Sequence, residues 1–301
     1  MTQMTVEELL KAGAHYGHLT RKWNPKMRPF IYGIHSGVHI INLDVTMEYA
    51  ERAFAAALKI VSEGDDILFV GTKQQAQQVV EEAARKSSMP FVTRRWLGGL
   101  LTNFVTIRRR VEKLIELETK REKNDFAGYT KKELLGVDRQ IDKLEHALGG
   151  IKLMRRLPGA LFVVDPSYEH IAIHEAKVLG IPVIAITDTN CDPDPIAYPI
   201  PANDDSVRSI QAFITRITEA CIAGLAKREE LAREEPEGKS GEKRPLRRAQ
   251  ELDQPGKAYV TRIDTFEAGE GVDSYSATVK PEEPPTPVVI EEEVKKDGDE
   301  I

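Results

Sequence analysis

The chain is 301 residues long, is 41% hydrophobic and carries a formal net charge of −6. This apolar content is sufficient for one large packed domain or two smaller ones. No run reaches the ~18 apolar residues of a membrane span, and no apolar segment at the N-terminus is typical of a signal peptide. The two cysteines, Cys191 and Cys221, indicate no disulfide framework. We therefore predict a cytoplasmic protein with reduced thiols.

Charge is unevenly distributed along the chain. Residues 229–301 contain 20 acidic and 11 basic side chains, whereas residues 1–228 contain 28 acidic and 31 basic ones. The last segment is also poor in apolar side chains, so we predict a disordered, charged tail over 229–301. The mildly basic body points to a nucleic-acid partner.

The N-terminal part of the chain alternates short regular elements with an irregular basic stretch. Residues 5–12 predict a short helix with a capping box. Residues 15–33 contain four basic side chains around Trp23, and two prolines there exclude a continuous helix. A strand is favoured over 37–43, and the apolar spacing predicts an amphipathic helix over 46–62.

Short apolar runs then alternate with helical patterns. The runs predict buried strands over 67–70, 89–93, 160–165 and 181–187. The helical patterns cover 74–86, 169–179 and 206–228. Strands that alternate with helices predict parallel βαβ units. The expected fold is therefore α/β, a Rossmann-like or flavodoxin-like parallel sheet flanked by helices.

The segment 104–155 has a different periodicity. Its apolar residues recur at alternating steps of three and four, which is typical of coiled-coil seams. Two such seams, separated by a loop over 124–130, predict an antiparallel helical hairpin. We expect this hairpin to project from the core, as an insertion into an α/β domain made of residues 1–103 and 156–228.

Two stretches, 15–33 and 93–110, collect basic and aromatic side chains without any acid. Arginine beside aromatic rings suits phosphate oxygens and unstacked bases, so we predict that both stretches bind RNA. The alternative is a solvated basic surface with both tryptophans packed in the core. The predicted RNA-binding residues are Arg21, Lys22, Trp23, Lys26, Arg28, Arg94, Arg95, Trp96, Arg108, Arg109 and Arg110.

Two features leave room for other chemistry. Gly71 to Lys73 follow a strand and precede a helix, where a phosphate can bind, but they match no nucleotide-binding motif. Because the position alone still allows a phosphate site, a nucleotide-binding α/β enzyme stays open as an alternative. The acidic loop 188–205 suits helix capping and turns. It also offers carboxylates for a divalent metal, with His18 as a candidate partner.

Several long motifs resemble the bacterial small-subunit ribosomal protein S2 family over residues 5 to about 228. They read AGxHYGHxTRKWNPKMxPFI, VHIINL, ILFVGTK, RRWLGGLLTNF, LEHALGGIKxMRRLP and ITDTNxDPDxIxYPIPANDD. The resemblance implies a doubly wound sheet with an inserted coiled-coil hairpin and no enzymatic activity. It implies a structural role in the small subunit, with contacts to small-subunit rRNA between head and body.

The resemblance also implies partners and a metal pocket. Expected partners are the rRNA and neighbouring ribosomal proteins, including the mRNA-recruiting protein S1, with no membrane and no small-molecule substrate. No cofactor is required, but a zinc pocket of the family corresponds by position to His18, Asp188 and Asp204, with Asp205 as an alternate. A scaffold that docks proteins through its hairpin, with dispensable arginines, is a further alternative.

Overall fold

The computed structural model describes residues 4–123, 125–126 and 129–234. Within these ranges the chain forms seven α-helices and eight strands. The helices are α1 (Val6–Ala12), α2 (Leu43–Ser62), α3 (Gln74–Lys86), α4 (Phe104–Glu122), α5 (Lys131–Leu148), α6 (His170–Leu179) and α7 (Val207–Glu234). The strands are β1 (Tyr16–Leu19), β2 (Ile31–His35), β3 (Val38–Ile41), β4 (Ile67–Val70), β5 (Phe91–Val92), β6 (Ala160–Val164), β7 (Val183–Thr187) and β8 (Tyr198–Pro201).

The main sheet has five parallel strands in the order β5-β4-β6-β7-β8. The chain enters at β4, adds β5 on one side and then crosses to β6 on the other side. The switch point of the sheet therefore lies between β4 and β6. Strands β4, β6 and β7 are buried along their whole length, because helices cover both faces. The predicted α/β fold is confirmed.

Each face of the sheet has its own hydrophobic core. Leu68 and Phe69 are neighbours in β4 but belong to opposite cores, as the pleat of a strand requires. Phe69 packs against Phe162, and both belong to the cluster that includes Phe213 of α7. On the other face, Leu68 lies in one cluster with Leu114 of the hairpin.

The predicted hairpin is formed by α4 and α5. An ion pair between Arg121 Nε and Asp138 Oδ1, 2.7 Å apart, joins the two helices. At its base the hairpin does not stand apart from the domain, because Ile107, Val111 and Leu148 are buried in the same core as β4. The base of the hairpin and the α/β domain are therefore one packed unit.

The N-terminal segment forms a second, antiparallel sheet in the order β1-β3-β2. The sequence predicts only β3 of these strands, because β1 and β2 are short and contain glycine. The basic residues between them lie on two 3₁₀ helices, Thr20–Lys22 and Pro25–Phe30, in agreement with the expected irregular stretch.

Two further differences from expectation concern the end of the domain. Strand β8 was not predicted, because Pro199 and Pro201 argue against a strand. Helix α7 continues to Glu234, so the predicted tail begins at least six residues too early. The rest of that prediction, for 235–301, lies outside the described residues. Among the described helices, none combines the length and apolar character needed to cross a membrane.

Candidate nucleic-acid interface and carboxylate cluster

The carboxyl ends of the five parallel strands meet at one edge of the main sheet, where α/β proteins place their ligands. This edge brings together segments that are far apart in the sequence. The residues that follow β4, β5, β6, β7 and β8 there include Lys73, Arg94, Arg95, Asp165, Asp188 and Asp204.

A cluster of carboxylates surrounds the ammonium group of Lys73. Its Nζ lies 3.1 Å from Asp165 Oδ2, 2.7 Å from Asp204 Oδ1 and 2.7 Å from Asp205 Oδ1. Asp204 is fully buried, and its Oδ2 has no hydrogen-bond partner among the described residues. Sequence analysis did not single out Lys73 for this role, although its position directly after a buried strand is a usable signal.

His18 approaches the same cluster from β1. Its Nδ1 lies 3.0 Å from Asp188 Oδ2, and its Nε2 lies 3.7 Å from Asp205 Oδ2. The His18 backbone N–H donates to Thr189 Oγ1 at 2.9 Å. A Cβ on the preceding Gly17 would lie 2.6 Å from Thr189 Cγ2, so only glycine allows β1 to approach this closely.

The cluster carries more negative than positive charge. Burial, together with neighbouring Asp165 and Asp188, raises the pKa of Asp204 to about 7, and Lys73 offsets only part of this effect. The adjacent Asp188 carboxylate raises the pKa of His18 above its usual value. Both groups therefore hold a proton more readily than they would in water, which reduces the net negative charge of the cluster.

The predicted metal ligands do come together in space. One ligand atom from each of His18, Asp188 and Asp204 lies within 4.8 Å of the others. Imidazole and carboxylate ligands suit zinc, and the partnerless Asp204 oxygen leaves one donor available, so these residues fit a divalent cation. A second set adds Cys191 to Asp165 and Asp204. It is less suitable, because burial raises the pKa of the Cys191 thiol to about 12 and zinc binds the thiolate.

Eight of the predicted RNA-binding residues have exposed cationic side chains, and six of these eight have no polar partner in the described part of the chain. Within the described chain, these six side chains make no ion pair and no hydrogen bond. A free, exposed guanidinium or ammonium group is available to a phosphate oxygen. The six are Arg21, Lys22, Arg28, Arg95, Arg109 and Arg110.

Arg108 has a different environment from its neighbours Arg109 and Arg110. Its Nη1 donates to the backbone carbonyls of Lys152 and Met154 at 3.3 and 3.1 Å. These bonds hold the start of α4 to the chain that leaves α5. Arg108 therefore has a structural role at the hairpin base, and its predicted contact with RNA stays a prediction.

Lys26 and Arg94 also have partners within the protein. Lys26 Nζ lies 2.8 Å from Asp192 Oδ2 and also contacts Asp194. Arg94 donates to Gln77 Oε1 at 3.2 Å and stays exposed. These contacts reduce the cationic charge that Lys26 offers to RNA, while Arg94 keeps its full charge.

Trp96 is a core residue and not a platform for a base. The residue is 7% exposed, and its Nε1–H donates to Glu175 Oε1 at 3.0 Å. Stacking on RNA is incompatible with this burial, so the packing alternative holds for Trp96. Trp23 is half-buried, with its ring centroid 5.0 Å from that of His39.

Glu175 fixes the whole loop that follows β5. Besides Trp96, its carboxylate accepts hydrogen bonds from the N–H groups of Gly99, Leu101 and Thr102 at 2.8–3.0 Å, and from the Thr102 hydroxyl at 3.0 Å. Burial opposes ionisation, but these five donors together lower the pKa of Glu175. Sequence analysis missed this residue, and its only signal is an acid on the buried face of α6.

A similar contact fills the place where a phosphate would bind. The Thr72 N–H donates to Glu169 Oε1 at 2.7 Å, and Lys73 is held by the carboxylate cluster. Burial of Glu169 raises the pKa of its carboxyl. The turn after β4 therefore directs its donors to the protein's own side chains, and not to an open nucleotide pocket.

Comparison with known proteins now separates the alternatives. The family described as Ribosomal protein S2 matches residues 9–224. The chain belongs to the ribosomal protein S2 family. Members of the S2 family are structural proteins of the ribosome and not enzymes, so the nucleotide-binding enzyme is rejected.

Several relatives are similar over most of their length. A protein of Mycobacteroides abscessus is 47% identical over 80% of this chain and 87% of its own length. A protein of Chloroflexus aggregans is 48% identical over 75% and 95%, and one of Sorangium cellulosum is 49% identical over 75% and 82%. All three are named small ribosomal subunit protein uS2.

Proposed function

We propose that this S2 family member is a structural constituent of the small ribosomal subunit in translation, bound to the ribosome in the cytoplasm. It binds small-subunit rRNA between head and body and helps to dock ribosomal protein S1. The observation that carries the RNA-binding part is the set of exposed, partnerless cations on two separate segments.

The cations act through position and charge. Contacts between arginine or lysine and phosphates fix the register of a protein on RNA without reading its sequence. Arg21, Lys22 and Arg28 lie on the 3₁₀ segments, and Arg109 and Arg110 lie on α4. Two basic patches within one compact unit would hold a folded RNA at two places and so fix its orientation.

We include zinc only as an ion that the carboxylate cluster could bind. His18, Asp188 and Asp204 would hold it, and its charge would offset the excess of carboxylates around the buried Asp204. S1 docking through the α/β domain is supported by the family resemblance, and the experiment below bears on RNA alone.

The test measures affinity for a small-subunit rRNA fragment as a function of salt. The wild type is compared with Arg109→Ala/Arg110→Ala. The control Lys113→Ala/Lys120→Ala removes the same charge from the same helix, but both of its ammonium groups are paired with Glu116. We expect the first variant to lower the salt slope by about two and the control to change it little.

The outcomes separate the remaining alternatives. If the arginine variant and the lysine control both had the salt slope of the wild type, Arg109 and Arg110 would not contact phosphates. If the arginine variant had the salt slope of the wild type and also assembled normally into small subunits, the protein-docking scaffold would be favoured. In that alternative the hairpin contacts proteins and the arginines are dispensable.

A further inference from the structure

A cleft opens at the switch point of the main sheet, between the loop after β5 and the start of α6. Its volume is about 370 Å³, within the roughly 300–1,000 Å³ of ordinary small-ligand sites. We call it the Tyr168 cleft. It is lined by Thr72, Arg94, Arg95, Trp96, Tyr168, Glu169 and Ile171.

Two donors at the inner wall of the Tyr168 cleft are already bound to carboxylates of the protein. The Glu169 carboxylate takes the N–H of Thr72, and the Trp96 indole N–H is taken by Glu175. A free nucleotide anchors itself in an α/β crevice mainly through phosphates on such backbone donors. Here the Thr72 N–H is occupied by the buried Glu169 carboxylate, and this carboxylate disfavours a phosphate in the interior of the cleft.

The outer rim has the opposite character. Tyr168, in the turn before α6, is 59% exposed, and Ile171, in the first turn of α6, is 45% exposed. Arg95 is exposed and makes no ion pair within the described chain, and Arg94 is exposed with only a neutral partner. An exposed aromatic ring beside two guanidinium groups is the combination that holds single-stranded nucleic acid.

These two walls select one kind of ligand. We propose that the Tyr168 cleft accepts one unstacked nucleotide of the bound rRNA, with its base against Tyr168 and Ile171 and an adjacent phosphate at Arg95. The phosphate stays on the rim, where the positive charge is. The nucleotide is held in place by the contacts that the rest of the RNA makes elsewhere on the protein. This inference rests on the proposed RNA binding and names a base-contacting site within it.

The first experiment compares binding of the rRNA fragment by the wild type, Tyr168→Ala and Tyr168→Phe. Tyr129→Ala is the matched control, because Tyr129 is 53% exposed between α4 and α5, outside both predicted RNA-binding stretches and outside the cleft. We expect Tyr168→Ala to weaken binding roughly tenfold with an unchanged salt slope, because base stacking is lost but no charge is removed. Tyr168→Phe and Tyr129→Ala should bind nearly as the wild type does.

Two further arms define the ligand. Arg95→Ala should lower the salt slope by about one, because it removes one phosphate contact. AMP and ATP should show no measurable binding to the wild type, because neither has an anchor outside the cleft. Ultraviolet crosslinking followed by mass spectrometry should join an RNA base to Tyr168.

Each result has one interpretation. If the wild type binds RNA and Tyr168→Ala binds equally well, the cleft proposal is wrong and the proposed function stands. If the wild type binds no RNA, the proposed function and the cleft proposal fail together. Tight binding of AMP would overturn the proposal in favour of a free-nucleotide site, and circular dichroism of Tyr168→Ala confirms that its fold is intact.

Discussion

Glu175 and Asp204 are buried carboxylates of the same α/β domain, but their environments have opposite effects on them. Glu175 accepts five hydrogen bonds, which lower its pKa and keep it ionised. Asp204 has one oxygen on Lys73 and one with no partner, and its pKa rises to about 7. The difference is the supply of donors, because both groups are removed from water.

The two carboxylates therefore serve different purposes. Glu175 stabilises the basic loop after β5, because its carboxylate replaces the water that the N–H groups of the loop would otherwise bind. Asp204 stays electrostatically strained, and the fold tolerates it because Lys73 and His18 supply positive charge. A residue of the first kind is structural, whereas one of the second kind is a candidate for binding a cation.

The largest expected effect comes from removing the cation of the Asp204 cluster. Lys73→Met should lower the free energy of unfolding by about 4 kcal/mol at neutral pH, because it removes the cation that contacts both buried carboxylates, Asp204 and Asp165. Chemical denaturation in the presence of EDTA measures this, with the exposed Lys143→Met as the control. A loss below about 1 kcal/mol would show that the cluster is less buried than described.

Glu175→Gln tests the other carboxylate. The amide keeps the shape but has only one acceptor oxygen, so donors of the loop after β5 lose their partners. We expect a loss of about 3 kcal/mol in unfolding free energy. Glu81→Gln removes an exposed pair with Arg85, 2.9 Å apart, and should cost about 0.5 kcal/mol. Similar costs for both variants would contradict the structural role of Glu175.

The pH dependence should differ in sign between the two sites. A carboxyl with a raised folded pKa contributes stability that is lost as pH rises, and His18, also raised, acts in the same direction. Between pH 5 and pH 8 the protein should lose on the order of 2 kcal/mol, and Asp204→Asn should flatten this slope. Glu175, with a lowered pKa, contributes stability that is lost only at more acidic pH. Denaturation curves across this range would refute the assignment if Asp204→Asn left the slope unchanged.

The smallest expected effect tests the hydrogen bond between Trp96 and Glu175. Trp96→Phe removes one of its five donors and a little buried volume, so it should cost about 1 kcal/mol in thermal unfolding. In the double variant with Glu175→Gln the two costs should not add, because both changes act on the same hydrogen-bond network. Strict additivity would mean that the Trp96 indole packs without depending on Glu175.

The sequence predicted most of the fold because its signals are local. Apolar runs mark β4, β6 and β7, and steps of three and four mark α4 and α5. Strand β8 was missed because its two prolines have no place in a central strand, yet β8 lies at the edge of the sheet, where proline is tolerated.

The sites were harder to predict because they depend on distant partners. Lys73 meets Asp204 across 131 positions, and Glu175 meets Leu101 across 74. Arg108 and Arg109 look alike in sequence, but one step along a helix turns a side chain by about 100°. One therefore faces backbone carbonyls, and the other faces solvent.

The prolines of β8 affect whether the main sheet can pair with the sheet of another copy. An edge strand normally exposes N–H groups that can recruit a strand from another molecule. Pro199 and Pro201 have no N–H group to offer, and at the opposite edge β5 is only two residues long. Neither side of the main sheet can easily be extended, so newly made copies are protected from aggregating edge to edge.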